Sequence, residues 1–116
     1  MKSKALEERL IDFAVLIIKL AKSNKKSYAG NHLSGQMIRS GTSAPLNYGE
    51  AQNAESRRDF LHKMQIVLKE LSETQVCLKI IDRAKLNTDF QSLERALKEN
   101  GELVAIFVSS VKTAKS

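Results

Sequence analysis

Tryptophan is absent, and four phenylalanines and two tyrosines are the only aromatic residues among 116. A core made by this chain is therefore aliphatic. One proline and five glycines are too few for the tight turns of an all-β sandwich or barrel. The single cysteine, Cys77, rules out an intrachain disulfide. Its place in a helical pattern suits a reducing compartment and a small packing residue, not a nucleophile, since neither histidine lies near it in sequence. Long apolar runs are missing too. The longest, Phe13 to Ile18, stops at Lys19, far below the ~20 residues of a membrane span. The basic start, Met1-Lys2-Ser3-Lys4, is followed at once by Glu7, Glu8 and Asp12, which is no targeting pattern. A soluble, cytoplasmic protein without a membrane role is expected.

The chain has the length of one domain, residues 1–116, and its 42% apolar content supports one modest core. The net charge of +6 is unevenly spread. Residues 1–30 carry seven basic and three acidic groups and residues 56–88 carry seven and four, while the remainder is nearly balanced. Such a surface points to a polyanionic partner, or to an ordinary lysine-rich solvated surface.

Hydrophobic spacing predicts four helices. Leu6, Leu10, Phe13, Ile17 and Leu20 alternate by four and three, with Ile11, Ala14, Ile18 and Ala21 as a second stripe. This first helix, from about Ser3 to Lys22, has an apolar arc wider than one packing partner needs, and Val15 and Leu16 lie outside even that arc. Some contact between subunits is expected there. After a polar loop, Ser23 to Gly30, a second helix is expected from an N-cap near Asn31 to about Ala51–Asn53. Ser40-Gly41-Thr42-Ser43 and Pro45 weaken it, which predicts a kink near Gly41–Pro45, with a break into a loop as the alternative. Gly41, Pro45 and Gly49 share a face on which another backbone could come close. The third helix opens with Ser56 as N-cap and Asp59 in its first turn. It carries Phe60, Met64, Val67, Leu71, Thr74, Leu78 and Ile81 in phase, and ends near Lys85. Thr88 with Gln91 reads as a capping box for the fourth, which continues through Asn100-Gly101 to about Thr113. The fold class is all-α: an antiparallel up-down-up-down four-helix bundle.

Gln36, Arg39, Ser43, Asn47 and Glu50 fall at helical spacing on one face. They read either as a binding surface, with Arg39 for a phosphate or carboxylate, or as an interhelix network with Arg39 paired to Glu70 or Glu50. The matched charges favour the network, and Arg39→Ala should then lower stability or disturb assembly. Catalytic candidates are lacking: no nucleophile–base arrangement and no strand-borne glycine-rich phosphate loop is present. A carboxylate-bridged metal site would need two Glu-x-x-His motifs, and Asp59-Phe60-Leu61-His62 is the sole near match. No enzyme, metal or cofactor is expected. For a polyanion the candidate contacts are Lys19, Lys22, Lys25 and Lys26 after the first helix and Arg57, Arg58 and Lys63 at the start of the third, at opposite ends of a bundle. Few aromatics are available for base stacking, so nonspecific, salt-sensitive binding is expected.

The strings His32-Leu33-Ser34-Gly35-Gln36-Met37-Ile38-Arg39-Ser40-Gly41-Thr42-Ser43, Asn47-Tyr48-Gly49-Glu50-Ala51, Asp59-Phe60-Leu61-His62-Lys63 and Leu68-Lys69-Glu70 resemble the bacterial four-helix-bundle family of proteins encoded in intervening sequences of large-subunit ribosomal RNA genes. The resemblance is close over residues 31–81 and departs from the family pattern at Ala44-Pro45-Leu46 and at Val76-Cys77. It implies a four-helix bundle that forms a ring-like homo-oligomer, with a pentamer as precedent. More distantly the chain is similar to the accessory protein of diversity-generating retroelements, a basic pentameric bundle that binds nucleic acid and a reverse transcriptase. The expectation is a non-enzymatic, basic, oligomeric bundle that binds RNA or DNA as an accessory factor. The alternative is a scaffold that binds only protein.

Overall fold

Ser27, Ser56 and Asp89 each turn a side-chain oxygen onto the amide three residues ahead, and a helix begins after each. The computed structural model describes residues 3–116; Met1 and Lys2, half of the basic start, lie outside the described residues. It contains α1 (Ser3–Ala21), α2 (Tyr28–Gln52), α3 (Arg57–Arg83) and α4 (Phe90–Lys115). No strand occurs among the described residues, only an isolated antiparallel bridge between Asn24 and Asn87. No helix among them is long and apolar enough to cross a membrane.

Two caps differ from expectation. α2 starts before Asn31, because Ser27 Oγ accepts from the Gly30 amide at 3.1 Å. Gly30 makes that tight entry possible: a Cβ there would lie 1.8 Å from the Lys25 carbonyl oxygen. Thr88 does not cap α4. Its amide and hydroxyl both donate to the Ser23 carbonyl, at 3.1 and 3.2 Å, and Asp89 takes over the cap by accepting from the Ser92 amide. The loop alternative at residues 40–45 is excluded, for α2 is helical without a break through Pro45. α3 ends two residues before Lys85, which sits in the left-handed region at φ 56°. Lys85 and Leu86 there donate back to the carbonyls of Asp82 and Ile81 in a Schellman closure.

Side-chain contacts set the directions. Ile17 of α1 packs on Gly41 of α2, whereas Leu6 and Tyr48 line one cavity near the other end. Arg39 of α2 pairs with Glu70 of α3, and Glu50 with Lys63. Asn100 of α4 meets Leu71 and Gln75 of α3, and Arg57 reaches Ala114. Neighbouring helices thus run in opposite directions. The backbones approach closely between α1 and α2, α2 and α3, α3 and α4, and α4 and α1, and only side chains meet across the diagonal. The result is a four-sided rod with extents of 44 × 22 × 21 Å.

The core is aliphatic, as composition requires: Leu10, Ile17, Met37, Val67, Leu71, Leu78, Ile81 and Leu103 are fully buried. Each such side chain contributes roughly 1.5–3 kcal/mol. Phe107 adds an edge-on contact with Tyr48 at 5.5 Å. One polar layer crosses the middle. The hydroxyls of Ser40 and Thr74, both fully buried, hydrogen-bond at 2.6 Å. Asn100, also fully buried, donates to the Leu71 carbonyl and to Gln75 Oε1, both at 2.8 Å.

Candidate nucleic-acid interface

The connections α1–α2 and α3–α4 lie at the same end of the rod and are pinned together. Buried Asn87 donates to the Leu20 carbonyl at 3.0 Å and to Asn24 Oδ1 at 2.8 Å, and Asn24 in turn donates to Ser34 Oγ. The Lys25 amide donates to the Leu86 carbonyl at 2.7 Å. Two buried asparagines therefore do what a longer core would do elsewhere: they give two polar loops one fixed geometry.

That clasp sets the charges. Lys19, Lys22, Lys25 and Lys26 are exposed, and the end of α3 and the loop after it add exposed Arg83 and Lys85. No carboxylate among the described residues lies within ion-pair distance of any of the six. For the four lysines the chain explains why, since no Asp or Glu occurs between Asp12 and Glu50, whereas Arg83 and Lys85 stand between Asp82 and Asp89 and pair with neither. Sequence reasoning found the four lysines and missed Arg83 and Lys85, because only the clasp brings the second loop beside the first.

The other candidates fare differently. Arg57 donates to the carbonyls of Ala114 and Ser116, at 2.8 and 3.0 Å, and so ties the start of α3 to the end of α4. Lys63 is held by Glu50 at 2.7 Å, and that hydrogen bond raises its pKa. Arg58 stays exposed, beside Ser56, Asp59 and His62 in a shallow surface hollow. Arg57, Arg58 and Lys63 thus lie at the far end of the rod from the lysines and form no common patch with them.

The polar stripe of α2 faces α3. Arg39 contacts Glu70 at 2.8 Å and also Glu73, and hydrogen bonding to Glu70, then to Glu73, raises the arginine pKa. The Arg39 side chain is 50% exposed and that of Glu70 only 7%, so the buried charge is the glutamate. Glu50 turns to Lys63 instead of Arg39. Asn47 donates within its own helix, to the Ser43 carbonyl and hydroxyl at 2.9 Å each. Gln36 is exposed. On the α1–α4 side, Arg9 forms a bidentate pair with Glu99, at 2.7 Å on both nitrogens, and reaches Glu102 at 2.9 Å. The hydrogen bond to Glu99 drives the Arg9 pKa upward.

A cavity of about 660 Å³ opens at the end away from the clasp, floored by Leu6, Tyr48, Phe60 and Met64. It holds no paired titratable groups. Cys77 is buried, and burial raises the pKa of its thiol. No group of three or more His, Cys, Asp or Glu side chains among the described residues is arranged to hold a metal ion.

No curated protein matches the chain. A crystal structure of a protein of unknown function from the S23 ribosomal protein family of Bacteroides thetaiotaomicron is similar to it, at 33% identity and a TM-score of 0.81, over 97% of this chain and 99% of that one. The model of the 23S rRNA-intervening sequence protein family matches residues 5–106. With nearly its whole length matched in sequence and in fold, the chain belongs to the 23S rRNA-intervening sequence protein family.

Proposed function

We propose that this protein is a non-enzymatic homo-oligomer that holds the phosphate backbone of a nucleic acid on its clasped, basic end. The observation that carries this reading is the group Lys19, Lys22, Lys25, Lys26, Arg83 and Lys85, six cations without a carboxylate partner on one end of the rod. Surface cations that neutralise phosphates release the counterions condensed on the nucleic acid, and this favours binding of any sequence. The family's name, with its ribosomal RNA intervening sequence, makes RNA the first polyanion to try.

Assembly is supported by two faces on opposite sides of the rod that carry exposed aliphatic side chains and none of the interhelix ion pairs. On the α1–α2 side Ile11, Val15 and Ile18 are exposed, together with Leu46, and nothing lies within 4 Å of a Cβ placed at Gly35 or Gly49. On the α3–α4 side Val76 and Val108 are exposed beside a groove of about 240 Å³ formed by Ser72, Gln75, Val76, Gly101 and Val104. The two remaining sides carry the ion pairs. Two different apolar faces suit a head-to-tail contact, which closes into a ring when the rotation allows. A pentamer is the number the family resemblance suggests. A ring with its axis along the helices repeats the basic end around one rim, which multiplies phosphate contacts.

The test is fluorescence anisotropy with labelled RNA across a salt series. Wild-type protein should bind unrelated sequences alike, and its affinity should fall steeply with salt. Lys25→Glu with Lys26→Glu should weaken binding at least tenfold and flatten the salt slope, by about 0.7–0.9 per lost phosphate contact. No binding at ~50 mM salt, where the electrostatic contribution is strong, would reject the reading and leave the protein-only scaffold.

A further inference from the structure

We infer that the basic end takes unpaired nucleotides in preference to duplex, with Tyr28 as a stacking platform for a base. This rests on the phosphate-binding reading above and adds to it the kind of strand bound.

Sparse aromatics argue against base recognition only if they are buried. Here two of the six stand in solvent at the very end that carries the free cations. Tyr28 is 90% exposed and Phe90 66%. The first opens α2, two residues after Lys26, and the second opens α4, four residues after Leu86, whose carbonyl holds the Lys25 amide. The clasp thus sets one aromatic ring on each side of the joined basic loops. Neither ring serves the core, which is closed without them. Tyr28 has one aromatic neighbour. It stacks on His32, one turn along α2, with centroids 6.3 Å apart and planes 8° from parallel. The two rings lie side by side in offset, near-parallel planes, and at 90% exposure both faces of Tyr28 are open to solvent.

The chemistry this arrangement fits is narrow. A flat, exposed ring beside cations offers a base its π-face and the phosphates their counter-charge, the combination used on single strands. Bases inside a duplex are already stacked and cannot reach such a ring without being unstacked. With one open platform on each side of the cap, no hydrogen-bonding code is available, so the sequence of the strand matters little.

The experiment compares an oligouridylate of about 16 nucleotides, near the upper site size of single-strand binders, with an oligothymidylate and an RNA duplex of equal length. The reporter is built in, because the chain has no tryptophan and its only other tyrosine, Tyr48, is 3% exposed. Both single strands should quench Tyr28 fluorescence and the duplex should not. Tyr28→Ala should abolish the quench and weaken single-strand binding about tenfold or more, with duplex affinity unchanged, and Tyr28→Phe should restore the affinity. If only one of the two single strands shows this loss, that strand is the ligand and the stacking role stands. If Tyr28→Ala leaves both single-strand affinities unchanged while Lys25→Glu with Lys26→Glu removes them, the stacking role is wrong and the basic-end reading survives. If neither strand form binds, both fall together. The high exposure of Tyr28 keeps folding out of the comparison, and unchanged helicity in Tyr28→Ala checks this.

Discussion

Asp89 opens α4 with its carboxylate, accepting from Ser92, and the Ser92 side chain is the main reason its pKa lies below the ordinary carboxylate value, with the Ser92 amide next. A depressed carboxylate contributes stability that is present above its unfolded pKa and lost as pH falls through the folded one. The thermal midpoint of the protein should therefore drop on the acid side of about pH 4. Asp89→Asn keeps a capping oxygen without the charge, so the acid loss should be smaller in that variant, as thermal melts from about pH 7 to pH 2 would show. An equal acid loss in both proteins would mean that Asp89 is not part of it. Single residues also revise the α2–α3 network. Because Glu70 is the buried partner, Arg39→Ala leaves a buried carboxylate without its cation. The loss expected for Arg39→Ala is thus set by Glu70, and Glu73 cannot replace the arginine.

Within α2, four glycines occupy two kinds of place. A Cβ added at Gly30 would run into the Lys25 carbonyl and one at Gly41 would lie 3.1 Å from Ile17 Cγ2, whereas Gly35 and Gly49 have open space. Gly30→Ala should cost about 2–3 kcal/mol in urea unfolding, the scale of overpacking, because the atom it meets is backbone and cannot yield. Gly49→Ala should gain about 1 kcal/mol from helix propensity in a chain kept monomeric, yet weaken assembly if the α1–α2 face receives another backbone. Stabilisation of the monomer with assembly untouched would remove α2 from the contact. The proline belongs to the same element. The helix continues through Pro45, which has no N–H to give the Gly41 carbonyl, and nearby side chains reinforce it: Thr42 donates to the Ile38 carbonyl at 2.7 Å and Asn47 to that of Ser43 at 2.9 Å.

Across the whole molecule, two sides that carry the ion pairs alternate with two that carry exposed aliphatic side chains. A head-to-tail ring makes a specific demand: blocking either apolar face breaks it, and two chains blocked on different faces still fit each other once. Val15→Glu and Val76→Glu, both on exposed residues, should each give monomers by light scattering. Mixed in equal amounts, they should recover a dimer and nothing larger. A self-complementary contact, in which one patch meets its own copy, would leave one variant assembled on its own and is distinguished by that result.

The sequence by itself determined the four helices and their apolar faces, because period and propensity act within a few residues. The cap at Ser56, the unbroken run through Asn100-Gly101 and the aliphatic core were all legible in this way. The lysines at the end of α1 were legible as charges, but their freedom from carboxylates was not. Tertiary structure decided what depends on residues far apart in the chain. Asn87 meets Asn24 and Leu20, so Thr88 turns to Ser23 and the cap passes to Asp89. Ser40, a poor helix former on its own, is matched by Thr74 in the buried layer. Arg57 and Lys63 are drawn into contacts with Ala114 and Glu50, while Arg83 and Lys85 join the basic end. The physical reason is that a hydrogen bond or ion pair needs a partner within about 3–4 Å, and only the packing of one helix against another sets which partner arrives.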